Sequence, residues 1–477
     1  MASRVTVRCE DREIDWQTLA IGSIFVRKAL SGTLRVANNQ HLINMIEIAH
    51  LRTRFQNHLD HPEAQHELDI LSLVKKYRRW EATDPRDKIY ALMGLSTTDM
   101  DMFDFHPDYT RSPEETYRQF ARAVLRSYPR LDFFISPRGD PHSKSASSLK
   151  LKSWIPDWSQ SSIQAEITPA AEVSHGLESH LCADRTFSAT GSSNSSTDRP
   201  HISDLDILTV NGSIVDHIKE LGDCFEVHSH DIPGSSVQDL GSGESQHYLE
   251  CLHFALDLMS FLVKWEKFAR ADRSKTASPA EKSNHDILRQ ILMFEPAQSS
   301  TTAISPNRQA TSQARRDELE ALYRALTNAT ADEEIKQSTD HWRKDRSFAP
   351  TALLQAGFAA KLVRNPIAIW NLVSGLLYGK MYDWDVNISD DIPHATKLQN
   401  FHRRRLARTT SDLLALVPAE TTPGDNVALL VGGSVPYIVR PVESDRKRWQ
   451  LVGGAYVHGI MEGERWNPES CFPVEFE

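Results

Sequence analysis

The stretch of residues 84–95 constrains the fold of this chain most strongly, because it contains the signals that begin and end a short helix. Asp84 can accept hydrogen bonds from the backbone N–H groups of a first helical turn, and Pro85 suits the first helical position. Asp87 places a carboxylate near the positive end of the helix dipole. Gly94 can end the helix because glycine enters the left-handed region at little cost. The pattern predicts a short, capped helix.

One face of this predicted helix is apolar. Ile89, Leu92 and Met93 fall on a single stripe, which indicates packing on a core. A second predicted helix begins after Ser112, which can cap it, and this helix carries Tyr117 on its own apolar face. Because short helices of this kind are not stable alone, we expect both apolar faces to pack into the same core.

The charged run Arg86-Asp87-Lys88 is not needed by a helix that already has caps. One interpretation is a set of ion pairs that orders a neighbouring loop, and the other is a polar rim around a pocket or recognition surface. Charge runs on a surface are more often structural than functional. The first interpretation is therefore favoured, and Arg86 is expected to reach the loop before Pro107.

Residues 82–95 resemble the third conserved block of the fungal heterokaryon-incompatibility (HET) domain, a Thr-Asp-Pro-Arg-Asp-Lys-Ile/Val-Tyr-Ala-Leu-Leu-Gly-Leu run. Residues 5–19, 107–117, 153–159 and 205–222 resemble further segments of the same family. The resemblance assigns no role to individual residues. The candidate site residues, which match family motifs along the whole chain, are Asp84, Pro85, Arg86, Asp87, Tyr90, Gly94, Trp154, Pro156, Asp157, Trp158, Gly424, Asp425, Pro436, Arg440, Tyr456, His458 and Gly459.

The C-terminal residues 398–477 alternate β-branched and aromatic residues with glycine-rich turns. This composition predicts an antiparallel β meander that curls into a small barrel. Within it, residues 449–461 (WQLVGGAYVHGIM) are similar to the family's Leu-Val-Gly-x-x-Tyr-Val-His-Gly-Ile-Met block. The resemblance therefore reaches this segment as well.

Two blocks of the family are absent from the sequence. A Tyr-x-Ala-Leu-Ser-Tyr-x-Trp-Gly strand and a Trp-Ile-Asp-Ala-Ile-Cys-Ile-Asn-Gln block open the HET domain, where they form the parallel-sheet half of an α/β fold related to the TIR fold. Neither occurs in the 477 residues. The resemblance thus implies a truncated HET domain, and it leaves the NAD-cleaving chemistry of TIR-like relatives without residues to carry it.

No active site is predicted from the sequence. Gly432-Gly433 lacks the third glycine and the helix of a dinucleotide-binding loop, so a hairpin turn is the better interpretation. His458 beside Tyr456 suits a hydrogen-bonded structural histidine better than a general base. The 20 histidines contain no His-Glu-x-x-His spacing, and the 5 cysteines contain no Cys-x-x-Cys spacing. We therefore expect no catalytic residue, no cofactor and no metal.

Charge and hydropathy narrow the range of partners. The chain has 54 Lys and Arg against 64 Asp and Glu, a formal net charge of −10. This acidic balance disfavours nucleic acid or an anionic membrane as the partner. The longest uncharged window, residues 365–379, is shorter than the ~20 residues of a membrane span. Since the N-terminus does not resemble a signal peptide, we expect a cytoplasmic protein that binds a protein partner and has no membrane span.

These patterns divide the chain into four regions: a HET-domain remnant over 1–135, a linker with a Trp-rich box over 136–200, a mostly helical middle region over 201–397 and a β-rich module over 398–477. The expected fold class is α+β, mainly helical in the N-terminal and central regions. The predicted function is an incompatibility-type regulator of self/non-self recognition or programmed cell death, which acts through protein contacts without catalysis. The alternative is a TIR-like NAD-hydrolysing enzyme, which would need the missing blocks upstream.

Overall fold

The computed structural model describes part of the chain. The described residues are 5–29, 45, 47–49, 51–53, 55, 68–78, 80–96, 98, 101, 103–128, 131, 149–160, 188–190, 199–225, 261, 264–265, 267–269, 403–442 and 445–477. The chain divides into two compact units, one formed by Met1–Leu221 together with His402–Glu477 and the other by Gly222–Phe401.

Along the described part of the chain, two strands are followed by a group of helices and then by a run of strands, with the following bounds. The helices are α1 (Trp16–Ala29), α2 (Ile70–Tyr77), α3 (Asp87–Met93) and α4 (Pro113–Ser127). The strands are β1 (Thr6–Cys9), β2 (Arg12–Asp15), β3 (His201–Ile202), β4 (Leu208–Phe225), β5 (Arg404–Thr409), β6 (Leu414–Pro418), β7 (Asn426–Leu430), β8 (Tyr437–Val442), β9 (Asp445–Gly454), β10 (Tyr456–Val457) and β11 (Phe472–Phe476).

A β-hairpin precedes the first helix. Strands β1 and β2 pair antiparallel, with Val7 opposite Ile14, and Glu10 in the turn has a positive φ of 56°. The carboxylate of Asp15 accepts the backbone N–H of Gln17 at 2.9 Å, which caps helix α1. The chain therefore enters its first helix from a strand.

Side-chain caps start two of the following helices. Asp69 accepts the backbone N–H of Leu71 at 3.0 Å at the start of α2. Ser112 accepts the backbone N–H of Glu115 at 3.2 Å at the start of α4. The predicted cap at Ser112 is thereby confirmed.

Helix α3 begins later and ends differently from the prediction. It starts at Asp87, because a turn precedes it in which the Asp84 carboxylate accepts the backbone N–H of Arg86 at 3.0 Å. Gly94 ends the helix with a φ of −69°, in the right-handed region, so the predicted left-handed cap is wrong. Its N–H instead bonds to the carbonyl of Leu92, which tightens the last turn.

The apolar residues of α3 divide between two neighbours. Tyr90 lies against α4, with its hydroxyl 3.1 Å from that of Thr116. The Tyr117 hydroxyl of α4 donates in turn to the carbonyl of Pro85 at 2.7 Å. Tyr90, which the predicted stripe left out, therefore makes the link to α4. Leu92 instead packs against a cluster formed by Leu51, Leu68, Leu73 and Tyr77.

Nine of the described strands form one sheet, and five of them close into a barrel. Strand β4 pairs with β11 and with β7, and β9 and β8 complete the ring, in which only the β11–β9 pair is parallel. Gly212 lies where β4 changes partner, opposite both Phe472 and Leu430. A Cβ atom at Gly212 would lie 2.6 Å from the carbonyl oxygen of Leu429, so the closure needs a glycine.

Strands β5, β6 and β10 extend the sheet beyond β4. Leu416 of β6 lies opposite Leu406 of β5 on one side and Tyr456 of β10 on the other. Burial of apolar surface stabilises this packing by about 25 cal/mol for each Å² of that surface removed from water. The buried core cluster of this region consists of Ile218, Ala407, Ala415, Val417, Val427, Ile438, Ala455, Val457 and Ile460.

The expected fold class is wrong in its helical part. Helices account for only 27% of the described residues, which are rich in sheet, and only the C-terminal barrel of that expectation is found. The physical reason is that β4 pairs with strands some two hundred residues later in the chain, and local periodicity does not report such pairing. Most of the middle region predicted to be helical, residues 226–260 and 270–397, lies outside the described residues.

In the second unit, the structure describes the end of β4 and part of a helical segment. Residues 261, 264–265 and 267–269 are helical. Trp265 donates through Nε1 to the carbonyl of Asp223 at 2.9 Å, and the rings of Phe225 and Phe261 lie 4.9 Å apart. These contacts hold the helical segment against the strand end.

Candidate functional site

The charged run at the start of α3 ties a neighbouring loop to the helix. Arg86 donates to the Asp84 carboxylate at 2.6 Å and to the backbone carbonyls of Tyr109 and Arg111 at 2.7 Å each. Its guanidinium also lies 5.1 Å from the centre of the Tyr109 ring. The side-chain hydrogen bond from Arg86 lowers the pKa of the Asp84 carboxyl. The loop that Arg86 reaches therefore follows Pro107 instead of preceding it.

The other two charges of the run make separate contacts. The Tyr109 hydroxyl donates to the Asp87 carboxylate at 2.5 Å. Lys88 donates through Nζ to the carbonyl of Arg78 at 2.8 Å and to that of Trp80, where the end of a helix attracts a cation. Burial lowers the pKa of Lys88. The run thus joins α2 and the loop that contains Tyr109 to α3.

A groove lined by charged side chains, called the charged groove below, lies beside α4 and has a volume of about 490 Å³. Its walls come from α4, from the turn before β4 and from the loop before α4. Four arginines face four carboxylates, so their formal charges cancel. The lining residues are Asp104, His106, Arg111, Glu115, Arg118, Gln119, Arg122, Arg126, Asp204 and Asp206.

Asp206 holds the inner end of the charged groove together. Its side chain is only 10% exposed, and it accepts from Arg118 at 2.7 Å and from Arg122 at 2.9 Å. Arg122 also donates to the carbonyl of Ser203 at 2.9 Å. Asp206 has a positive φ of 58°, a conformation that a non-glycine residue keeps only when its surroundings hold it. The two arginines therefore fix the turn before β4 on α4.

The outer end of the charged groove is open to solvent. Arg126 lies 3.4 Å from the Asp104 carboxylate, and the two side chains are 64% and 84% exposed. An exposed pair at this distance contributes little to stability. Breaking the Arg126–Asp104 pair therefore costs little free energy, and each side chain can bind a charged ligand or partner instead. Arg118 and Arg122, by contrast, are engaged by Asp206.

The Trp-rich box packs against α4. Trp154 is buried and donates through Nε1 to the carbonyl of Asp206 at 3.0 Å. The Trp158 ring meets the rings of Tyr117 and Phe120 edge-on, at 5.3 and 5.1 Å between centroids. The box thus supports both α4 and the turn that carries Asp206.

The remaining residues of the box face α2. The carbonyl of Asp157 accepts from Arg78 at 2.6 Å, and its carboxylate accepts the backbone N–H of Ser159 at 2.9 Å. Pro156, which lies between the two tryptophans in the sequence, is half-buried. These candidate residues therefore form packing and backbone contacts between segments.

Three C-terminal candidates meet at one turn of the barrel. The Asp425 side chain is 2% exposed and accepts two hydrogen bonds from Arg440, each of 2.8 Å. Arg440 also donates to the carbonyl of Glu420 at 2.8 Å, and its pKa is raised by the hydrogen bonds to Asp425. Gly424 precedes the pair with a φ of 92°, a conformation that favours glycine. The pair fastens this turn to β8.

The other C-terminal candidates surround β10. Tyr456 is fully buried, and the carbonyl of Pro436 accepts the backbone N–H of the residue before it at 2.8 Å. The backbone N–H of His458 donates to the carbonyl of Leu414 at 2.9 Å, and Gly459 has a φ of 87°. The structure thus places the candidates in an N-terminal group around α3 and α4 and a C-terminal group in the barrel and in the strands that extend its sheet.

The chemistry available in the charged groove is ion pairing and hydrogen bonding. Its arginines, carboxylates, histidine and glutamine can bind charged groups of a ligand or of a protein. Among the described residues, no group of His, Cys, Asp and Glu side chains is placed to hold a metal ion. Within the same residues, no helix has both the length and the apolar character that crossing a membrane requires.

Sequence reasoning did not identify the charged groove. The available signal was the spacing of Arg118, Arg122 and Arg126, four residues apart, which places them on one face of a helix. Asp206, however, lies 84 residues from Arg122 in the sequence, and only the tertiary structure brings the two together.

Comparisons with known proteins relate parts of this chain to a barrel domain and to an incompatibility protein. Residues 384–470 match the family model of the Het-6 beta-barrel domain. Over 68 residues the chain is 37% identical to "Heterokaryon incompatibility protein 6, OR allele" of Neurospora crassa, a segment that covers 14% of this chain and 10% of that protein. No solved structure matches the chain. The resemblance to the heterokaryon-incompatibility family is thus confirmed, through partial matches.

The matched range does not contain the whole barrel. Strands β7, β8 and β9 lie inside residues 384–470, whereas β4 and β11 lie outside them. The barrel of this chain therefore includes strands that the family match leaves out.

Proposed function

We propose that the protein is a cytoplasmic regulator of heterokaryon incompatibility, which takes part in self/non-self recognition and cell death through contacts with another protein. The observation that carries the proposal is the match of residues 384–470, which contain the barrel strands β7, β8 and β9, to the Het-6 beta-barrel domain. The Neurospora relative, of which the match spans a tenth, is named an incompatibility protein. The net charge of −10 supports a protein as the partner in preference to nucleic acid.

Expression of the full chain in a filamentous fungus tests this proposal. The expressing strain is paired with a panel of otherwise compatible strains, and death of the fused compartments is scored by uptake of a vital dye. We expect death with at least one panel strain and none with a strain that carries an empty vector. Normal fusion with every panel strain would contradict the proposal.

The proposal contains no catalytic step. Its support is the outer end of the charged groove, where the exposed side chains of Arg126 and Asp104 can pair with charged groups of a partner. The alternative is NAD hydrolysis of the TIR-like type. Purified protein is therefore incubated with NAD, and released nicotinamide is measured by chromatography. We expect no release above a heat-treated control, and release that disappears on heating would replace the binding proposal by an enzymatic one.

A further inference from the structure

Two large side chains stand exposed beside the charged groove. Leu205 is 74% exposed and Tyr109 is 56% exposed. Leu205 lies between Asp204 and Asp206, which both line the groove, and Tyr109 lies two residues before Arg111, which lines it as well. A single exposed apolar residue is ordinary, but both of these are near neighbours in the chain of residues that line one groove, so a partner seated in the groove can contact them.

The backbone around Leu205 is held in place from both sides. The carbonyl of Ser203 accepts from Arg122 at 2.9 Å and from the backbone N–H of Asp206 at 3.1 Å. The carbonyl of Asp206 accepts from Trp154 at 3.0 Å. Leu205 therefore stands on a fixed turn, and ordering it on binding costs little conformational entropy.

Tyr109 is fixed in a similar way. Its hydroxyl donates to Asp87 at 2.5 Å, and its ring meets the Tyr90 ring edge-on at 5.2 Å. The Arg86 guanidinium covers part of the ring at 5.1 Å. Tyrosine and arginine are the residues that most often dominate the binding energy of protein interfaces. Tyr109 thus presents a rigid aromatic contact.

The charges of the groove indicate which kind of partner fits. A purely anionic ligand, such as a phosphate or a nucleic acid, would meet the carboxylates of Asp104 and Asp204 as well as the arginines. A protein segment that carries both signs of charge can pair with Arg126 and with Asp104, which are the most exposed pair. The balance of charges therefore favours a mixed-charge protein segment.

We propose that Leu205, Tyr109 and the charged groove form a docking surface for a protein segment that carries acidic and basic side chains and an apolar patch. The apolar patch covers Leu205 and Tyr109, an acidic side chain pairs with Arg126, and a basic side chain pairs with Asp104. This inference rests on the proposed function, because it names the surface through which the protein contacts its partner.

A library of random peptides displayed on phage provides the probe. The full chain is immobilised, binding peptides are selected, and their affinities are measured by fluorescence anisotropy. We expect mixed-charge peptides with apolar residues, and binding that Leu205→Asp weakens at least ~10-fold, as removal of a central contact does. Ile21→Asp is the matched control, because Ile21 of α1 is 64% exposed and is not one of the residues that line the groove.

Two variants of Tyr109 keep the test valid if Leu205→Asp does not fold. Tyr109→Phe keeps the ring and removes only the hydroxyl, whereas Tyr109→Ala removes both, so we expect the loss of binding to be larger for alanine. Equal melting temperatures of Leu205→Asp and wild type show that the fold is intact.

Three results would overturn the docking surface. They are a selection that enriches no peptide, peptides that bind Leu205→Asp as tightly as wild type, and a preference for purely acidic peptides or a single-stranded oligonucleotide. These results are independent of the fusion experiment with the wild-type chain, and that experiment tests the proposed function. A chain that binds the peptides through this surface but causes no incompatibility would contradict the proposed function alone.

Discussion

Buried carboxylates join turns to strands in the C-terminal barrel, and Asp216 of β4 shows how. Its side chain is 1% exposed. It accepts the Thr410 hydroxyl at 2.6 Å and the backbone N–H of Ser411 at 3.2 Å, and Arg465 lies at 3.4 Å. A carboxylate with these donors ties β4 to the turn between β5 and β6.

The surroundings of Asp216 predict that the stability of the folded protein decreases at acid pH. Burial alone would raise its pKa, but the hydrogen bonds from the Thr410 hydroxyl and the His217 N–H outweigh it and lower the pKa below 3.8. The ionised carboxylate therefore contributes fully at pH values above the unfolded pKa, and the contribution disappears as the pH falls through the folded pKa. We expect Asp216→Asn to have a lower melting temperature than wild type at pH 7. The difference in melting temperature between the two proteins should become smaller below about pH 4.

Melting curves of both proteins between pH 7 and pH 2 measure this gap. Asp104→Asn is the control, because the Asp104 side chain is 84% exposed. A gap between Asp216→Asn and wild type that stays constant down to pH 2 would show that Asp216 does not carry the acid dependence.

Arg86 distinguishes the two interpretations of the charged run. Its side chain donates to the Asp84 carboxylate and to the carbonyls of Tyr109 and Arg111, so Arg86→Ala removes a side-chain donor from three acceptors. We expect a lower melting temperature for Arg86→Ala and for Asp87→Ala, measured by calorimetry beside wild type. Unchanged melting temperatures together with a lost incompatibility phenotype would show instead that this helix end is a recognition surface.

At the scale of elements, strand β4 decides the architecture. It has 18 residues and pairs with β11 in its first part and with β7 further along. Both partners meet at Gly212, where the neighbouring backbone leaves no room for a side chain. One strand therefore closes the barrel and also starts the extension of the sheet through β5.

Gly212→Ala is expected to destabilise the barrel. The new Cβ would approach the Leu429 carbonyl oxygen to 2.6 Å and the Leu430 side chain to 2.7 Å, and overpacking of this kind costs about 1–3 kcal/mol. Urea denaturation followed by circular dichroism measures the loss. Gly94→Ala is the matched control, because nothing lies within 4 Å of its Cβ position and its φ is −69°. Equal stability of both variants would contradict the close approach at Gly212.

At the scale of the whole molecule, the barrel combines two distant parts of the chain. Strand β4 belongs to residues 199–225, and the other four barrel strands belong to residues 426–476. Within the barrel, Gly212 lies opposite Leu430. Strands β4 and β7 thus pair directly although some two hundred residues separate them in the sequence.

A fragment of residues 403–477 is therefore expected not to close its barrel alone. Without β4, the edges of β7 and β11 expose unpaired backbone groups. Addition of a synthetic peptide of residues 199–225 should restore a cooperative melting transition, which circular dichroism detects. A fragment that melts cooperatively without the peptide would show that β4 is dispensable for the barrel.

The sequence by itself determined the features that depend on neighbouring residues. Ser112 caps α4 because its hydroxyl needs only the N–H three residues later. Residues 426–457 form strands because β-branched residues between glycine-rich turns favour extended backbone. Each of these outcomes involves groups a few residues apart, so a pattern in the sequence predicts them.

Only the tertiary structure decided the features that join distant residues. The barrel closes through Gly212 and Leu430, and the charged groove forms because Asp206 meets Arg122, 84 residues away in the sequence. Local propensity offers the backbone several conformations of similar free energy, and long-range pairing and packing select one of them.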